Sequence, residues 1–550
     1  MAAILCSLFI SCNSNSQAPR DANGNPVKEA DKQDGDKSES EKKMTKRDYS
    51  ITPATAYNDM FLDSMNMESY ISEKKIADSI ARRMRSFYNA RNYQFAWLSK
   101  GGLTEQALAF WNVHNYATYS GDTALINKSL QAKMDGLLTE DKLVINGKDK
   151  SMITTELQLT DHFIQYSLGN YEKGYLKRKE LERFIPLKKE DAMELADSLL
   201  NKKHKDNKYY EDVNESYKLL KEELRKYVEI AKKGGWPQVN VDQKKVKRGS
   251  SASGIVQLKK RLQMTGDLAG NDTSALFNDS LELAIKHAQQ TFGYKPTGIL
   301  SVTLIKDLNV LVTVRIKQIL INMNRMRWMP VEPEGKLILV NIPEFVLHFF
   351  EGKTKAFDMN VVVGKEGHNT MMFTGNLSTV VFSPYWNVPP SIVKKEIMPS
   401  MARNPNYLAA QHMEITGQEG GLPVIRQLPG EKNSLGRVKF LFPNSFNIYF
   451  HDTPAKGLFN QDKRAYSHGC IRLSDPVKMA NYLLKDDASW PADKIEEAMN
   501  SGNEKYVKLK DPIPVLITYY TAWVDEKGLI NFRDDIYQRD GNVSNKMFIK

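Results

Sequence analysis

The hydrophobic period of this chain changes near Pro330, and that change constrains the fold more than any other feature. From about residue 59 to 233, apolar residues recur at i, i+3 and i+4, as in Leu195-Ala196-Leu199-Leu200, and this spacing predicts amphipathic helices. After Pro330, the apolar runs 336–342 and 345–350 predict β-strands. A chain of 550 residues with two such regions is expected to form several domains of the α+β class.

Further breaks divide these two regions. Gly234-Gly235-Trp236-Pro237 interrupts the helical spacing and marks a boundary, after which a small three-helix unit is predicted. One more helix is predicted from Val314 to Trp328. The aromatic cluster from Tyr88 to Trp97 is interpreted as core packing between helices. Between Ser391 and about Gln427 the strand signals stop, and the Gly-rich stretch 417–421 falls in this segment, which is interpreted as an inserted lid.

The N-terminus has the composition of an export signal. The apolar run Ala2–Ile10 is too short to span a bilayer and ends at Ser11-Cys12, which predicts a lipoprotein-type signal over 1–12 with lipidation of Cys12. An ordinary cleaved signal peptide, or a different start site, is the alternative. Residues 13–55 contain few large apolar side chains and are predicted to form a disordered tether. No other stretch reaches 18 apolar residues, so no membrane span is expected after the signal.

The charge of the chain excludes one class of partner. The formal net charge is +11, and a basic surface suits an anionic membrane or an acidic polymer. The excess of Lys and Arg is spread along the chain, and no nucleic-acid-binding motif accompanies it. Nucleic acid is therefore not an expected partner.

Cys470 is the strongest candidate for a catalytic residue. It is one of three cysteines, and the other two lie in the first twelve residues, so export would leave it unpaired in an oxidising compartment. A buried structural cysteine is the alternative. His451 ends a predicted strand 19 residues earlier and is the candidate base. Gly469 allows a sharp turn, and the amides of Gly469 and Cys470 are candidate oxyanion donors.

The block His451-Asp452-Thr453-Pro454, followed by Ser467-His468-Gly469-Cys470-Ile471-Arg472-Leu473, resembles the signature of the L,D-transpeptidase (YkuD-type) catalytic domain. The stretches 338–343, 384–392 and 433–437 add to the likeness. Together they resemble the large, lid-bearing Gram-negative subgroup, which carries a scaffold domain and a peptidoglycan-binding module.

The resemblance implies a multidomain α+β fold class. It comprises a mixed β-sandwich-like catalytic domain with a helical lid insertion, preceded by an α-helical scaffold domain and a small three-helix module. The expected parts after the signal and the tether are a scaffold domain at 56–240, a peptidoglycan-binding-like domain at 248–312, a linker helix at 313–332, a catalytic domain at 335–525 with a lid at about 391–430, and a C-terminal tail at 526–550. A structural spacer is the alternative for 248–312.

The resemblance also implies roles for single residues. Cys470 is the nucleophile and His451 the general base. Arg472 stands where the family often has Asn, and a basic side chain there suits a substrate carboxylate. Ser467 and His468 fill motif positions, although His468 is equally well interpreted as a loop histidine bonded to the backbone. Further candidates for the substrate pocket or lid hinge are Tyr385, Trp386, Asn387 and Arg437. No metal or other cofactor is expected, because the histidines lack ligand spacing.

The implied activity is peptidoglycan L,D-transpeptidation. Cys470 attacks the third residue of a tetrapeptide stem, releases the terminal D-Ala, and passes the acyl group to a diaminopimelate amine to form a 3→3 cross-link. The expected partners are donor and acceptor stem peptides, carbapenem inhibitors, and a membrane contacted only through the lipid anchor, in the periplasm. Water or a protein amine as acceptor, a silent wall-binding lipoprotein, and a cysteine protease are the alternatives.

Overall fold

The computed structural model describes residues 44–119, 126–139, 144–170, 181–201, 215–242, 246–328 and 335–549. A helical N-terminal region, a small three-helix unit and a β-rich domain follow one another along these residues. This architecture confirms the predicted multidomain α+β fold class. The predicted signal 1–12, with Cys12, and most of the tether 13–55 lie outside the described residues.

The helical domain is built around buried aromatic side chains. Its helices are α1 Ser64–Glu73, α2 Asp78–Ala90, α3 Glu105–Tyr119, α4 Lys128–Thr139, α5 Lys150–Asn170, α6 Ala192–Leu200 and α7 Glu215–Lys232, with a short hairpin of β1 Leu98–Ser99 and β2 Gly102–Leu103. The rings of Trp97, Phe110 and Phe163 lie 5.2–5.3 Å apart between centroids. Trp97 and Tyr88 are fully buried, which confirms the prediction that this aromatic cluster packs between helices.

The three-helix unit has a separate core. Its helices are α8 Ser253–Thr265, α9 Asp279–Thr291 and α10 Val302–Leu308. Leu258, Leu281 and Leu304 are fully buried in it. Side-chain caps begin two of the helices, since Asn278 accepts a hydrogen bond from the Leu281 amide and Ser301 accepts one from the Leu304 amide.

The next helix, α11 Val312–Met326, is not a linker. The sequence predicts a linker helix at 313–332, but α11 packs into the core of the helical domain. Arg325 on α11 is 8% exposed and forms an ion pair with Glu105 of α3. A linker helix would keep a polar face in water, whereas α11 buries apolar and polar side chains on all its faces.

The β-rich domain contains a closed ring of strands. Its strands, with those of the insertion, are β3 Lys336–Asn341, β4 Val346–Glu351, β5 Thr354–Gly364, β6 Thr374–Phe382, β7 Trp386–Asn387, β8 Met413–Glu419, β9 Leu422–Gln427, β10 Val438–Leu441, β11 Phe450–His451, β12 Ala465–Ser467, β13 Ile471–Leu473 and β14 Lys505–Thr518. The strand order is β12-β5-β13-β11-β10-β6-β14-β3-β4, and β4 also pairs with β5. That last pairing closes the sheet into a barrel-like sandwich, which abolishes its free edges.

Short helices accompany these strands. They are α12 Pro390–Ile392, a π-helix Val393–Ile397, α13 Met398–Arg403, α14 Tyr407–Ala410, α15 Pro476–Leu484 and α16 Ala492–Asn500, with 3₁₀ turns at Ile342–Glu344 and Lys456–Asn460. Met479 of α15 and Ile495 of α16 are buried against the inner face of the barrel.

The insertion contains strands that the sequence reading missed. β7, β8 and β9 form a separate three-stranded sheet, although the sequence predicts that strands stop between Ser391 and Gln427. Gly420 and Gly421 form the turn of the β8–β9 hairpin, with φ of 56° and 77°, so the Gly-rich stretch is a hairpin turn. The insertion has its own small core, which includes Val393 and Ile425.

Both ends of the described chain pack onto the helical domain, contrary to prediction. A C-terminal tail is predicted at 526–550, but β15 Ala522–Val524, β16 Ile530–Phe532 and α17 Arg539–Met547 contribute buried side chains to the helical core. At the other end, Ile51 is fully buried and the Thr45 hydroxyl donates to Glu182 at 2.8 Å. The predicted disordered tether therefore does not extend through residues 44–55.

Candidate active site

The barrel places His451 and Cys470 on the same outward face. β11 and β13 are parallel neighbours, with Phe450 opposite Ile471 and His451 opposite Arg472. Phe450 and Ile471 are fully buried in the barrel core. Because side chains alternate along a strand, His451 and Arg472 point outward, and Cys470, which directly precedes β13 and lies two residues before Arg472, is expected on that same side.

The backbone sets the tautomer of His451. Its Nδ1 lies 2.5 Å from the carbonyl oxygen of Asp452. A carbonyl oxygen only accepts, so Nδ1 carries the hydrogen and Nε2 has a free lone pair. Burial and, to a smaller extent, the neighbouring charge of Arg472 lower the pKa of His451 to about 3. His451 is therefore neutral at physiological pH and able to accept a proton at Nε2.

The Cys470 thiol is protonated at rest. Burial raises its pKa to about 11, against the opposing effects of hydrogen bonds from the Tyr449 amide and hydroxyl and of the Arg472 charge. The sulfur also lies 3.7 Å from the carbonyl oxygen of Asn447. Cys470 and His451 are thus both neutral at physiological pH.

Tyr449 is a site residue that the sequence reading missed. Its ring lies 5.8 Å from the ring of His451 between centroids, and its hydroxyl is a hydrogen-bond donor to the sulfur of Cys470. Burial raises the pKa of the Tyr449 phenol well above its usual value, which keeps the donor hydrogen in place. The sequence could have identified Tyr449, because a residue two positions before His451 on an extended segment lies on the same face as His451.

The loop that carries the nucleophile is held by Ser467. The Ser467 hydroxyl donates to the Cys470 carbonyl at 2.5 Å and accepts from the Gly469 amide at 3.1 Å. Gly469 has a φ of 117°, a conformation that favours glycine. The Gly469 amide therefore already has an acceptor, and the Cys470 amide is the better candidate oxyanion donor.

A second clamp on this loop comes from Thr370, which the sequence reading also missed. Its hydroxyl donates to the Gly469 carbonyl at 2.7 Å and accepts from the Gly364 amide at 2.9 Å. The Tyr537 hydroxyl donates to the Gly364 carbonyl at 2.6 Å and accepts from the Thr370 amide. The C-terminal segment thus braces the nucleophile loop from outside the barrel.

His468 contacts the insertion rather than the backbone. Its Nε2 lies 2.8 Å from Glu396 Oε1 in the π-helix, and the ring of His368 lies 4.9 Å from its own ring. The alternative interpretation, a loop histidine bonded to the backbone, does not describe this geometry. His468 instead joins the nucleophile loop to the insertion.

Arg472 lies beside the thiol with unused hydrogen-bonding capacity. Its Nε is buried and has no hydrogen-bond partner among the described residues. Burial lowers the pKa of Arg472, although the proximity of Cys470 opposes that effect. A guanidinium with a free donor next to the nucleophile suits a carboxylate or a developing oxyanion.

Family comparisons agree with this arrangement. Residues 335–513 match the family described as the L,D-transpeptidase catalytic domain, and residues 82–224 match the Scaffold domain. These two stretches are therefore similar to an L,D-transpeptidase catalytic domain and to a scaffold domain. The catalytic-domain and scaffold parts of the predicted resemblance are confirmed, and the peptidoglycan-binding module at 248–312 stays a prediction.

One curated protein shares extended sequence with the chain. It is named "Putative L,D-transpeptidase", comes from Haemophilus influenzae, and is 30% identical over 244 residues. The match covers 42% of this chain and 49% of that protein, so the chain spans about half the length of the curated relative it matches.

Solved structures of L,D-transpeptidases also match. One from Xylanimonas cellulosilytica is 13% identical, with a TM-score of 0.16, covering 50% of this chain and 98% of that chain. One from Stackebrandtia nassauensis is 14% identical, with a TM-score of 0.21, covering 51% of this chain and 96% of that chain.

The other predicted pocket residues of the L,D-transpeptidase domain lie away from the thiol. Trp386 and Asn387 form β7 at the base of the insertion, and Tyr385 stacks beneath the guanidinium of Arg426, 4.4 Å from its ring centroid. Arg437 donates its amide to Asp452 and its side chain to Asn500, at 3.1 Å. These four residues therefore support the insertion and the turn after His451.

Neither a metal site nor a membrane-spanning helix is found among the described residues. No group of three or more His, Cys, Asp or Glu side chains in that part of the chain has the arrangement of a metal site. Of the helices described, none is long and apolar enough to cross a membrane.

Proposed function

We propose that this protein is a peptidoglycan L,D-transpeptidase that acts through a cysteine thioester. The observation that carries the proposal is the pair Cys470 and His451 on one outward face of an L,D-transpeptidase domain, with Nε2 of His451 free to accept a proton. The donor is a tetrapeptide stem, the acceptor is an amine of a neighbouring stem, and the product is a 3→3 cross-link.

The first half-reaction forms the acyl-enzyme. The Cys470 sulfur attacks the carbonyl carbon of the third stem residue while its proton passes to His451 Nε2. The carbonyl oxygen becomes an oxyanion, for which we propose the Cys470 amide as the stabilising donor, because the Gly469 amide is bonded to Ser467. His451 then returns the proton to the leaving D-Ala amine as the C–N bond breaks.

The second half-reaction releases the product. The acceptor amine attacks the thioester carbonyl, His451 removes the amine proton, and the C–S bond breaks to restore the Cys470 thiol. Water in place of the amine would give carboxypeptidase chemistry. The insertion contacts the nucleophile loop through Glu396 and His468 and is positioned to limit the entry of water.

The test is incubation of the full chain with purified tetrapeptide muropeptides, followed by mass analysis. Cross-linked dimers with release of D-Ala support the proposal, whereas tripeptides alone indicate an L,D-carboxypeptidase. The Cys470→Ala variant should form neither product. If the wild-type protein also fails to acquire a covalent adduct from either a tetrapeptide or a carbapenem, the enzyme proposal is wrong.

Location and further partners belong to the same proposal. An enzyme of peptidoglycan works outside the cytoplasm, so we place this protein in the periplasm. Lipidation of Cys12 would anchor it to a membrane, and a carbapenem would acylate Cys470. Palmitate labelling of the wild type and of Cys12→Ala tests the anchor.

A further inference from the structure

A cavity of about 310 Å³ lies where three parts of the chain meet. Its walls come from the turn 292–295 of the three-helix unit, the barrel segment 343–346, the loop 462–464 and the C-terminal segment 532–536. Cys470, His451 and Arg472 are not among the residues that line it. The cavity is therefore distinct from the candidate active site, and it needs the docked arrangement of the three-helix unit to exist.

The cavity is rich in charge of both signs. Five cationic side chains line it, namely Lys295, Arg315, Lys463, Arg464 and Arg533, against four acidic ones, Asp307, Glu344, Asp462 and Asp534. Lys463 forms an ion pair with Asp534, and Arg315 lies 3.7 Å from Asp307. Glu344 is already paired with His348 at 3.1 Å.

Two of the arginines lack an acidic partner. Arg464 donates to the carbonyl oxygens of Val361 and Phe345, and Arg533 donates to that of Thr291 at 3.0 Å. No carboxylate within the described residues lies at ion-pair distance from either guanidinium. Burial lowers the pKa of both arginines, as expected for cations removed from water without full compensation. An anionic ligand would supply the missing charge.

Arg315 adds an unsatisfied donor at the cavity wall. Its side chain is 8% exposed, and its buried Nε has no hydrogen-bond partner among the residues that the structure describes. The guanidinium lies beside the stacked rings of Phe292 and Phe532, at 5.0 and 4.7 Å from their centroids. A buried donor without an acceptor costs free energy, and this guanidinium adds positive charge behind the cavity wall.

The shape of the cavity also suits a peptide. The rings of Phe292 and Phe532 stack at 6.2 Å and present apolar surface beside the charged groups. Gly293 has a φ of 75°, and a Cβ there would lie 2.4 Å from Arg533 Nε, so a larger residue would displace this guanidinium. Apolar faces next to cations match the methyl groups, amides and free carboxylates of a short peptide.

We propose that this cavity binds the free carboxylates of a second peptidoglycan stem peptide, one that is not being cleaved at Cys470. The inference rests on the proposed function, which supplies stem peptides as ligands. Asn360 of β5 lines the cavity, whereas Gly364 of the same strand contacts the nucleophile loop through Thr370. Four residues of strand span about 13 Å, so one peptidoglycan polymer can reach both sites.

The test uses the full chain with Cys470→Ala, which prevents acylation, and a free tetrapeptide stem. Saturating peptide is expected to slow amide hydrogen exchange at 292–295 and 532–536. Lys295→Glu changes an exposed position on the cavity rim. In this variant, half-maximal protection is expected to need at least a tenfold higher peptide concentration. Lys260→Glu, on an exposed face of the same three-helix unit, is the matched control and should have no effect. A stem peptide with amidated carboxylates should protect neither segment.

Two outcomes overturn the inference. One is the absence of protection at 292–295 with saturating peptide, and the other is equal behaviour of Lys295→Glu and Lys260→Glu. Arg533→Gln is a second variant, and its fold is checked by circular dichroism. Failure of the proposed function is seen separately, as the absence of a tetrapeptide adduct on Cys470 in the wild-type protein by mass spectrometry.

Discussion

At the scale of single residues, His451 and Cys470 are both neutral, which is unusual for a thiol nucleophile and its base. Burial keeps the imidazole neutral and the thiol protonated. The Asp452 carbonyl holds Nδ1–H, so Nε2 is the atom left to act as base. The proton is therefore expected to move during attack on the substrate, because no thiolate–imidazolium pair exists beforehand.

His451→Asn should remove the base and leave the thiol in place. General base catalysis contributes about 10²- to 10⁴-fold, so the rate of Cys470 acylation by a carbapenem should fall by a factor in that range. Mass spectrometry of the adduct against time measures the rate. His287→Asn, at a half-exposed position of the three-helix unit, is the control and should change the acylation rate by less than twofold. An unchanged rate in His451→Asn would remove this residue from the mechanism.

The acylation rate should be level between about pH 5 and pH 9. His451, with a pKa lowered to about 3, is neutral above that value, and Cys470, with a pKa raised to about 11, is protonated below it. Neither group changes its protonation in the window, so no acidic limb is expected near the usual histidine pKa. Second-order acylation rates across this range measure the profile, and a clear inflection at pH 6–7 would show that His451 titrates there.

At the scale of elements, the loop between β12 and β13 positions the nucleophile. Ser467 and Thr370 hold its carbonyl groups, and Gly469 makes the turn at a φ of 117°. The loop therefore depends on one backbone conformation and on hydrogen bonds from two different segments.

Gly469→Ala should disturb this loop while the barrel stays folded. A Cβ at that φ costs about 1–2 kcal/mol, although the space around it is open, with the nearest atom at 3.9 Å. The loop should relax away from this φ and move the sulfur, so acylation should slow at least tenfold. Gly417→Ala, at a position with nothing within 4 Å, is the control. A full acylation rate in Gly469→Ala would show that the turn is not needed.

Glu396→Gln should loosen the contact between the insertion and the nucleophile loop. The Glu396–His468 pair is half-exposed, and such pairs contribute about 0–1 kcal/mol. Hydrogen exchange of 393–397 should therefore accelerate by up to about fivefold. Glu414→Gln breaks another exposed pair of the insertion, with Arg426, and should leave 393–397 unchanged. Equal exchange in the two variants would mean that His468 does not hold the insertion.

At the scale of the whole molecule, buried ion pairs join the helical domain to the C-terminal segment. Arg325 of α11 contacts Glu105 of α3 and, at 2.6 Å, Asp540 of α17. Tyr537, three residues before Asp540, braces the nucleophile loop. The scaffold and the candidate active site are therefore connected through the C-terminal segment.

Arg325→Met should destabilise the folded protein strongly. It leaves Glu105 and Asp540 buried without their cation, which costs about 3–5 kcal/mol. Urea unfolding followed by tryptophan fluorescence measures the loss. Arg85→Met breaks an exposed pair with Glu68 and should cost under about 1 kcal/mol. Similar losses in the two variants would contradict the connecting role of Arg325.

Local sequence patterns predicted much of this architecture. Helical spacing, strand runs and the Ser467–Leu473 block led to the α+β fold class and to the L,D-transpeptidase and scaffold domains. Those patterns did not predict the features that depend on long-range contacts. Residues 313–332 and 526–550 look like a linker and a tail because their apolar residues have no nearby partner in sequence, yet both segments complete the helical core.

The candidate site shows the same division. The sequence by itself determined which groups are the candidates for the chemistry, since a lone thiol, an upstream histidine and a glycine turn are chemical properties of residue types. Only the tertiary structure decided their protonation and their support, because pKa values depend on burial, and Tyr449, Thr370 and Tyr537 support Cys470 and its loop from segments that lie far apart in the sequence. Distances across a closed barrel are set by strand register, which no local pattern records.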